Sequence, residues 1–201
     1  MIKVGVLGAG TMGAGIAQVA VQSGHNVVLV DLNQEILNKA KEGHEKVFAR
    51  LVEKGKFTAD QVEEMLTKIS YSQAMADFKG SGIVIEAIIE NLGVKKKVFE
   101  ELESIVGDTC ILASNTSSLS IASIGAALAN PSRMIGVHFF NPAPLMPLVE
   151  IIPAVQTSTE ILDLTKTLVD SWGKITVVCK DTPGFIVNRV ARPFYGEALR
   201  I

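Results

Sequence analysis

Two ionisable side chains in apolar surroundings have the chemistry for proton transfer. His138 ends an apolar run that starts at Arg133, and Glu150 lies in a second apolar run, Leu148 to Ile152. A carboxylate in such a run needs a partner, because burying it alone is expensive. If the two runs are neighbouring strands, Glu150 orients the imidazole and stabilises its protonated form, so that the pair acts as a general base. A core histidine satisfied by a core glutamate would have the same spacing, and spacing alone does not separate the two interpretations.

A run of small polar residues, Ser114 to Ser118, follows the predicted strand over 110–113. Ligands of doubly wound sheets bind at the carboxyl ends of the strands, where these hydroxyls and the amide of Asn115 could bond a polar ligand. The same residues could instead cap the next helix, as Ser117 or Ser118 would do well. No GxSxG sequence surrounds the serines, which argues against a nucleophilic role.

A glycine-rich turn, Gly8-Ala9-Gly10-Thr11-Met12-Gly13, follows the first predicted strand and opens a helix, and Asp31 closes the next strand. This order, with an acid about 20 residues beyond the glycines, is the fingerprint of a dinucleotide site. Gly8 allows the tight turn, Gly10 lets the backbone approach a pyrophosphate, and Gly13 allows close packing of helix and strand. The free N–H groups of the helix then face the phosphates. Asp31 would accept hydrogen bonds from ribose hydroxyls and repel a 2′-phosphate, which favours NAD over NADP.

Composition excludes several other classes of function. The 201 residues contain 19 Lys and Arg against 21 Asp and Glu, a net charge of -2, which argues against a nucleic-acid partner. No apolar run approaches the ~20 residues of a membrane span, and the chain enters its first strand without a secretory signal, so we expect no membrane partner. Cys110 and Cys179 lack CxxC spacing, which indicates reduced core thiols of a cytoplasmic protein and no metal site. We expect His25 and His44 to be structural.

Strand and helix patterns alternate along the chain, which predicts an α/β fold of the doubly wound Rossmann type with a mostly parallel sheet. The predicted strands cover residues 2–7, 26–31, 69–72, 82–86, 110–113, 133–138, 146–152 and 174–179. The predicted helices cover residues 11–23, 33–54, 58–66, 92–105, 118–128, 158–171 and 185–201. The second and third helices form a hairpin inserted after the second strand, which is longer than a crossover needs.

The end of the chain predicts a second, truncated unit. Residues 1–182 form the nucleotide-binding domain, Asp181 to Gly184 is a hinge, and residues 183–201 are the first helix of a helical domain. One helix cannot bury both of its faces alone, so we expect it to self-associate or to be disordered. Its apolar residues are Ile186, Val187, Val190, Phe194, Leu199 and Ile201.

Four segments together resemble the L-3-hydroxyacyl-CoA dehydrogenases, including the bacterial 3-hydroxybutyryl-CoA dehydrogenases. They are Gly8 to Ala17, Ser114 to Leu119, His138 to Pro142 and Asp181 to Arg189. The resemblance implies NAD as cofactor and the reversible oxidation of a (3S)-3-hydroxyacyl-CoA to the 3-ketoacyl-CoA. Family members continue into a helical domain that completes the cleft and forms a homodimer. The resemblance therefore implies a cleft open on one side here, with weak or absent turnover.

The same resemblance implies a role for individual residues. His138 matches the catalytic histidine and Glu150 its partner carboxylate. Ser117 matches a serine close to the substrate oxygen and the nicotinamide, and Asn188 matches an asparagine that places the substrate. The positions implied to contact NAD are Gly8, Ala9, Gly10, Thr11, Met12, Gly13, Asp31, Glu90, Lys95, Ser117 and Asn141.

The implied substrate contacts extend to coenzyme A. Lys54, near the tip of the helical hairpin, matches a lysine that contacts CoA, and a cation there suits the CoA phosphates. Ser117 also faces the substrate, while Val47 stands where some relatives have a CoA-contacting serine. Lys96 and Lys97 remain a solvated face of their helix.

Two other functions fit the same residues. One is a non-catalytic NAD-binding module, against which the presence of both His138 and Glu150 argues. The other is a gulonate-type dehydrogenase of the same fold, which needs no CoA, so CoA binding near Lys54 distinguishes it. The acyl chain length stays open, although Val190 to Tyr195 favours a ring-derived dicarboxylic acyl-CoA, as in phenylacetate breakdown.

Overall fold

The computed structural model describes residues 1–200, and alternating strands and helices make up most of that part of the chain. The strands are β1 (Lys3–Leu7), β2 (Asn26–Val30), β3 (Ile69–Ser72), β4 (Ile83–Glu86), β5 (Ile111–Ser114), β6 (Met134–Phe139), β7 (Leu148–Pro153) and β8 (Ile175–Val178). The α-helices are α1 (Thr11–Gln22), α2 (Gln34–Glu53), α3 (Ala59–Thr67), α4 (Leu92–Ile105), α5 (Ile121–Gly125), α6 (Thr159–Ser171) and α7 (Val187–Ala198). Among residues 1–200, no helix has the length and apolar character to cross a membrane.

The strands form one sheet in the order β3-β2-β1-β4-β5-β6-β7-β8. Strands β6 and β7 pair antiparallel, and the other neighbouring strands pair parallel. The predicted Rossmann-type fold is confirmed. Because the chain order reverses between β1 and β4, a crevice opens at the carboxyl ends of these strands, where ligands of such folds bind.

Successive residues of each strand face opposite sides of the sheet, and each side has its own apolar core. In β1, Val4 and Val6 join the cluster beneath α1, α2 and α6, whereas Leu7 joins the cluster beneath α4 and α5. Phe48 of α2 and Phe99 of α4 are fully buried, one in each cluster. Helices therefore cover both faces of the sheet and leave its carboxyl edge for the site.

Helices α2 and α3 form the predicted hairpin after β2. Thr58 caps α3, since its hydroxyl accepts from the Gln61 amide (3.2 Å) while the Gln61 side chain accepts from the Thr58 amide (2.9 Å). His44, buried in α2, lies 2.7 Å from the Tyr71 hydroxyl and 2.8 Å from the Ala14 carbonyl oxygen. This histidine joins α2 to β3 and α1, which is the structural role expected for it.

The predicted helix over 118–128 is wrong at both ends, since α5 begins at Ile121 and ends at Gly125. The amides of Ser118 and Leu119 bond the Thr116 hydroxyl oxygen instead of extending the helix. Past the carboxyl end, the amides of residues 127 and 128 bond carbonyls three residues back, as in a tightening last turn. The loop that carries Ser117 is consequently longer than predicted.

Helix α7 begins at Val187, two residues later than predicted, because Phe185 has a left-handed backbone with φ of 45°. The expected apolar face is exposed in this chain. Val190 is 66%, Phe194 69% and Leu199 89% exposed, while Ile201 lies outside the described residues.

Candidate active site

The glycine turn between β1 and α1 packs the first turn of the helix directly against the backbone of the turn. Gly8 has φ of 99°, and its amide donates to the Val30 carbonyl oxygen (2.7 Å). A Cβ on Gly13 would lie 1.7 Å from the Gly8 carbonyl oxygen. Only glycine fits at position 13, so the start of α1 is in direct contact with the turn.

The start of α1 is shaped to receive an anion. Gly10 is its N-cap and supplies no side-chain hydrogen bond. A Cβ built on Gly10 would meet none of the described atoms within 4 Å, so the space in front of the first turn is open. Backbone N–H groups and the positive end of the helix dipole point into such a space. The cradle fits the pyrophosphate of a dinucleotide.

Asp31, at the end of β2, is fixed beside this cradle. Its Oδ2 accepts from the Ala9 amide (2.8 Å) and its Oδ1 from the Asn33 amide (2.9 Å). Each carboxylate oxygen has a further lone pair for a ligand hydroxyl. The position fits the ribose contact predicted from the sequence, and the preference for NAD over NADP remains a prediction.

His138 and Glu150 face each other across the antiparallel pair of β6 and β7. His138 Nδ1 lies 2.8 Å from Glu150 Oε2, and the residues are 6% and 1% exposed. A carboxylate only accepts, so we place the ring proton of neutral His138 on Nδ1. Nε2 then holds a lone pair, and within residues 1–200 it has no hydrogen-bond partner. The predicted pair thus exists and has the arrangement of an oriented base.

The second oxygen of Glu150 is bonded as well. Oε1 accepts from the amides of Ile186 and Val187, both at 2.9 Å, at the start of α7. The imidazole of His138 also packs against two aromatic rings, with centroid distances of 4.5 Å to Phe140 and 5.7 Å to Phe185. No sequence pattern indicates these contacts of Glu150 and His138 with residues 185–187, since neither an amide donor nor a ring contact produces a characteristic spacing.

A second buried network lies between β4 and β5. Glu86, fully buried, accepts from Lys95 Nζ (2.5 Å) and from the Ser114 hydroxyl (2.7 Å). Lys95 Nζ also lies 3.3 Å from Glu90 Oε2 and is 1% exposed, so it is not part of a solvated charge run. Glu86 was not among the residues predicted from the sequence. Its place at the end of a buried strand, opposite a lysine on the following helix, was the available signal.

Glu90 connects this network to the Ser117 loop. Its Oε1 accepts from the Thr116 hydroxyl, from the Ser117 amide (3.0 Å) and from the Ser118 hydroxyl (3.3 Å). Partial burial alone would raise the pKa of Glu90, but these hydrogen bonds and the charge of Lys95 lower that pKa below its usual range. Glu90 is therefore an anion that fixes the loop.

One cavity of about 450 Å³ joins most of the predicted site residues. It is lined by Met12, Glu90, Asn115, Ser117, His138, Phe139, Phe140, Asn141 and Asn188. Asn115 also accepts, through Oδ1, from the Phe139 amide (2.8 Å), which ties the Ser117 loop to β6. The structure thus places Ser117, Asn188 and the glycine turn around the imidazole. It does not bring in Lys54, which is exposed at the end of α2, while Lys95 lies behind Glu90.

A larger and mostly apolar cavity, about 670 Å³, lies between α1, α2 and the turn over 141–145. Asn141 lines both cavities, while Val47 and Leu51 form part of the α2 wall of this one. Lys174 holds the turn, since its buried Nζ donates to the carbonyl oxygens of Ala143 (2.6 Å) and Met146 (2.9 Å). The two cavities are therefore neighbours, one beside α2 and the other at His138.

Cys110 and Cys179 are buried free thiols. Burial raises the pKa of Cys110 to about 11, and burial together with the charge of Glu150 raises the pKa of Cys179 to about 12. Thiols with such pKa values are poor nucleophiles at neutral pH. Within residues 1–200, no group of three or more His, Cys, Asp or Glu side chains could hold a metal ion.

The doubly wound sheet, the open helix start and the adjacent acid define a dinucleotide-binding domain, and the histidine–carboxylate pair opens into its crevice. Residues 3–182 match the family model described as "3-hydroxyacyl-CoA dehydrogenase, NAD binding domain", and the chain belongs to this family. The resemblance noted in the sequence and the predicted NAD cofactor are confirmed at the level of the family.

Individual relatives are similar over nearly the whole chain. The chain is 46% identical to 3-hydroxyadipyl-CoA dehydrogenase of Escherichia coli, covering 98% of this chain and 42% of the relative. It is 45% identical to a probable 3-hydroxybutyryl-CoA dehydrogenase of Deinococcus radiodurans, covering 99% and 71%. A solved 3-hydroxybutyryl-CoA dehydrogenase from E. coli superposes with a TM-score of 0.96 at 44% identity, covering 100% of this chain and 43% of that one. The chain thus spans between 42% and 71% of the length of these proteins.

Proposed function

We propose that this chain carries the NAD site and the catalytic base of an NAD-dependent 3-hydroxyacyl-CoA dehydrogenase. The reaction is the reversible oxidation of a (3S)-3-hydroxyacyl-CoA, such as 3-hydroxybutyryl-CoA, to the 3-ketoacyl-CoA, in fatty acid β-oxidation or related acyl-CoA metabolism. The observation that carries the proposal is the His138–Glu150 pair, whose free Nε2 faces a cavity shared with Ser117, Asn188 and the start of α1.

In the proposed reaction, His138 Nε2 takes the proton of the substrate 3-hydroxyl. Glu150 holds Nδ1–H and stabilises the imidazolium that forms, because the buried carboxylate lies 2.8 Å away. Ser117 and Asn188 line the same cavity and hydrogen-bond the substrate oxygen. NAD, when bound, supplies the acceptor of the hydride from C3.

The cofactor residues divide between two ends of the crevice. The amides of Gly10 to Gly13 hold the pyrophosphate, with Gly8 and Ala9 forming the turn behind them, and Asp31 holds the adenosine ribose. Glu90, Ser117 and Asn141 lie at the nicotinamide end, where they line the cavity of His138. We propose that Lys95 acts there through Glu90, since its ammonium group lies 3.3 Å from that carboxylate.

We propose that the acyl-CoA arm follows the larger cavity along α2, with Lys54 meeting the CoA phosphates. The cavity is mostly apolar, shares Asn141 with the active cavity, and lies along α2, the helix that Lys54 follows. The test is calorimetric binding of CoA to the chain, to Lys54→Glu and to Lys97→Glu as a control on an exposed helix face. We expect about a tenfold loss of CoA affinity for Lys54→Glu alone. Absence of CoA binding to the unmodified chain would favour the gulonate-type alternative.

The proposal extends to domain organisation, assembly and location. Residues 1–182 form the NAD-binding domain, and residues 183–201 begin the helical domain. The exposed apolar residues of α7 support a homodimer of the full-length protein, and the buried free cysteines support a cytoplasmic location.

A further inference from the structure

The turn that leads into α7 contains an unusual backbone conformation. Among residues 1–200, Phe185 is the only non-glycine residue with positive φ, at 45°, and it follows Gly184 at 78°. A bulky side chain disfavours this region, so surrounding contacts must hold it there. Phe185 is 3% exposed and packs in the apolar cluster that also contains Cys179 and Ile152.

This conformation has two consequences for the histidine–carboxylate pair. The Phe185 ring lies against the His138 imidazole at a centroid distance of 5.7 Å and an angle of 58°. The two residues that follow the turn direct their amides at Glu150 Oε1, each at 2.9 Å, while Glu150 Oε2 holds His138 Nδ1 at 2.8 Å. One carboxylate therefore links the imidazole to the backbone of the turn.

The same segment is fixed at its other end to the start of α5, directly after the Ser117 loop. The Asp181 carboxylate accepts from the Ser120 hydroxyl (2.9 Å) and from the amides of Ile121 (2.9 Å) and Ala122 (2.8 Å). Asn188, three residues beyond Phe185, lines the cavity of His138. Residues 181–188 therefore contact three parts of the site.

We propose that Phe185 is a positioning residue for His138: its left-handed turn fixes the Glu150 carboxylate, and its ring limits rotation of the imidazole. This inference rests on the proposed role of His138 as the base. The turn at Phe185 thus links the position of the first residues of α7 to the direction of the His138 Nε2 lone pair.

Two substitutions of Phe185 test the role of its backbone conformation and the role of its aromatic ring separately. Phe185→Gly keeps a residue that adopts positive φ readily but removes the ring. Phe185→Val is β-branched and opposes the left-handed turn, so the amides of Ile186 and Val187 leave Glu150. Val190→Ala is the control, because Val190 is an exposed apolar residue of the same helix without a side-chain contact to the pair.

The first measurement is the ring nitrogen spectrum of the three histidines by long-range proton–nitrogen NMR, which needs no turnover. We expect a single Nδ1–H tautomer of neutral His138 in the unmodified chain, in Phe185→Gly and in Val190→Ala. We expect a mixture of tautomers in Phe185→Val. Amide spectra and NADH affinity show whether each variant is folded.

The second measurement is the rate of NADH oxidation with acetoacetyl-CoA. We expect kcat to fall about tenfold in Phe185→Gly at unchanged KM for NADH, and to fall further in Phe185→Val. Unchanged kcat in Phe185→Gly together with one tautomer in Phe185→Val would overturn the proposal, as would equal losses in Val190→Ala. If Phe185→Val does not fold, Phe185→Leu replaces it. If the unmodified chain does not turn over, as an open cleft allows, the tautomers decide on the role of Phe185 alone. Absence of NADH binding would instead count against the proposed function and leave the tautomer result standing.

Discussion

The charge of Glu150 decides the direction of the imidazole lone pair at His138. The carboxylate accepts on both oxygens, from the imidazole and from two backbone amides, so its burial is fully compensated. A neutral imidazole held by Nδ1–H presents Nε2 to the cavity as an acceptor. The pair therefore combines the structural and the catalytic interpretations, because the contacts that satisfy the buried groups also orient the base.

Substitutions at two glycines of the turn should separate an effect on NADH affinity from an effect on the free energy of unfolding. Gly10→Ala adds a methyl group to open space, so we expect the free energy of unfolding to change by less than about 0.5 kcal/mol. The same methyl group occupies the place of the pyrophosphate, so NADH affinity should fall at least about tenfold. Calorimetry with NADH and urea denaturation check both values.

Gly13→Ala is the matched variant with the opposite pattern. Its Cβ would lie 1.7 Å from the Gly8 carbonyl oxygen, a contact with backbone that no rotamer relieves. We expect a loss of more than about 3 kcal/mol in the free energy of unfolding, or no folded protein. Equal stability of the two variants would contradict the assigned roles of these glycines.

At the residue scale, functional residues with a distinctive local sequence context could be predicted. Residues whose role depends on a partner far along the chain were missed. His138 and Glu150 could be paired because each interrupts an apolar strand. Phe185 could not be recognised, since its role depends on Glu150 and His138, which other elements bring to it, whereas the signal for Glu86 was its place at the end of a buried strand before a lysine-bearing helix.

Among the elements, the short helix α5 depends on a carboxylate distant in the sequence. Asp181 accepts from the first two amides of α5 and from the Ser120 hydroxyl. This external cap lets the helix start at Ile121 and frees residues 115–119 to form the loop around Glu90. A local pattern of serines predicts a cap but not which residue begins the helix.

Removing this cap should cost stability. For Asp181→Ala we expect the free energy of unfolding to fall by about 1–2 kcal/mol, because the first amides of α5 lose their acceptor. Thr182→Ala is the control, since the Thr182 hydroxyl makes only a weak contact to the Lys180 carbonyl oxygen (3.4 Å). Urea denaturation measures both, and a loss as large in Thr182→Ala would mean that the cap is not the cause.

At the scale of the whole molecule, the α/β fold followed from the alternation of strand and helix patterns. The alternation predicts a mostly parallel sheet, whereas the strand order and the switch point between β1 and β4 came from the structure. Helix α7 presents its apolar residues Val190, Phe194 and Leu199 to solvent.

Stability of the whole molecule should depend on pH through a buried histidine. Burial lowers the pKa of His44 below its ordinary value of 6.5, so the unfolded chain binds the proton more readily. Stability from the neutral imidazole is complete above about pH 6.5 and is lost as the pH falls below it, at no more than about 1.4 kcal/mol per pH unit.

The check is urea denaturation at about pH 7.5 and about pH 5.5. We expect the unmodified chain to be less stable at the lower pH. His44→Leu should show a smaller difference between the two, although the loss of the contacts to Tyr71 and Ala14 lowers its stability throughout. Glu90, whose pKa is lowered by hydrogen bonds and Lys95 despite its burial, titrates below this window. An equal pH dependence of both proteins would exclude His44 as the source.

The most direct test of the central claim is oxidation of NADH by acetoacetyl-CoA, followed by absorbance, with this chain and with His138→Gln. We expect at most weak turnover by the unmodified chain, a further loss of at least about 100-fold in kcat for His138→Gln, and equal NADH affinity of the two proteins by calorimetry. Equal rates for both proteins would contradict the role of His138 as the base, and absence of NADH binding would contradict the cofactor site on which that role depends.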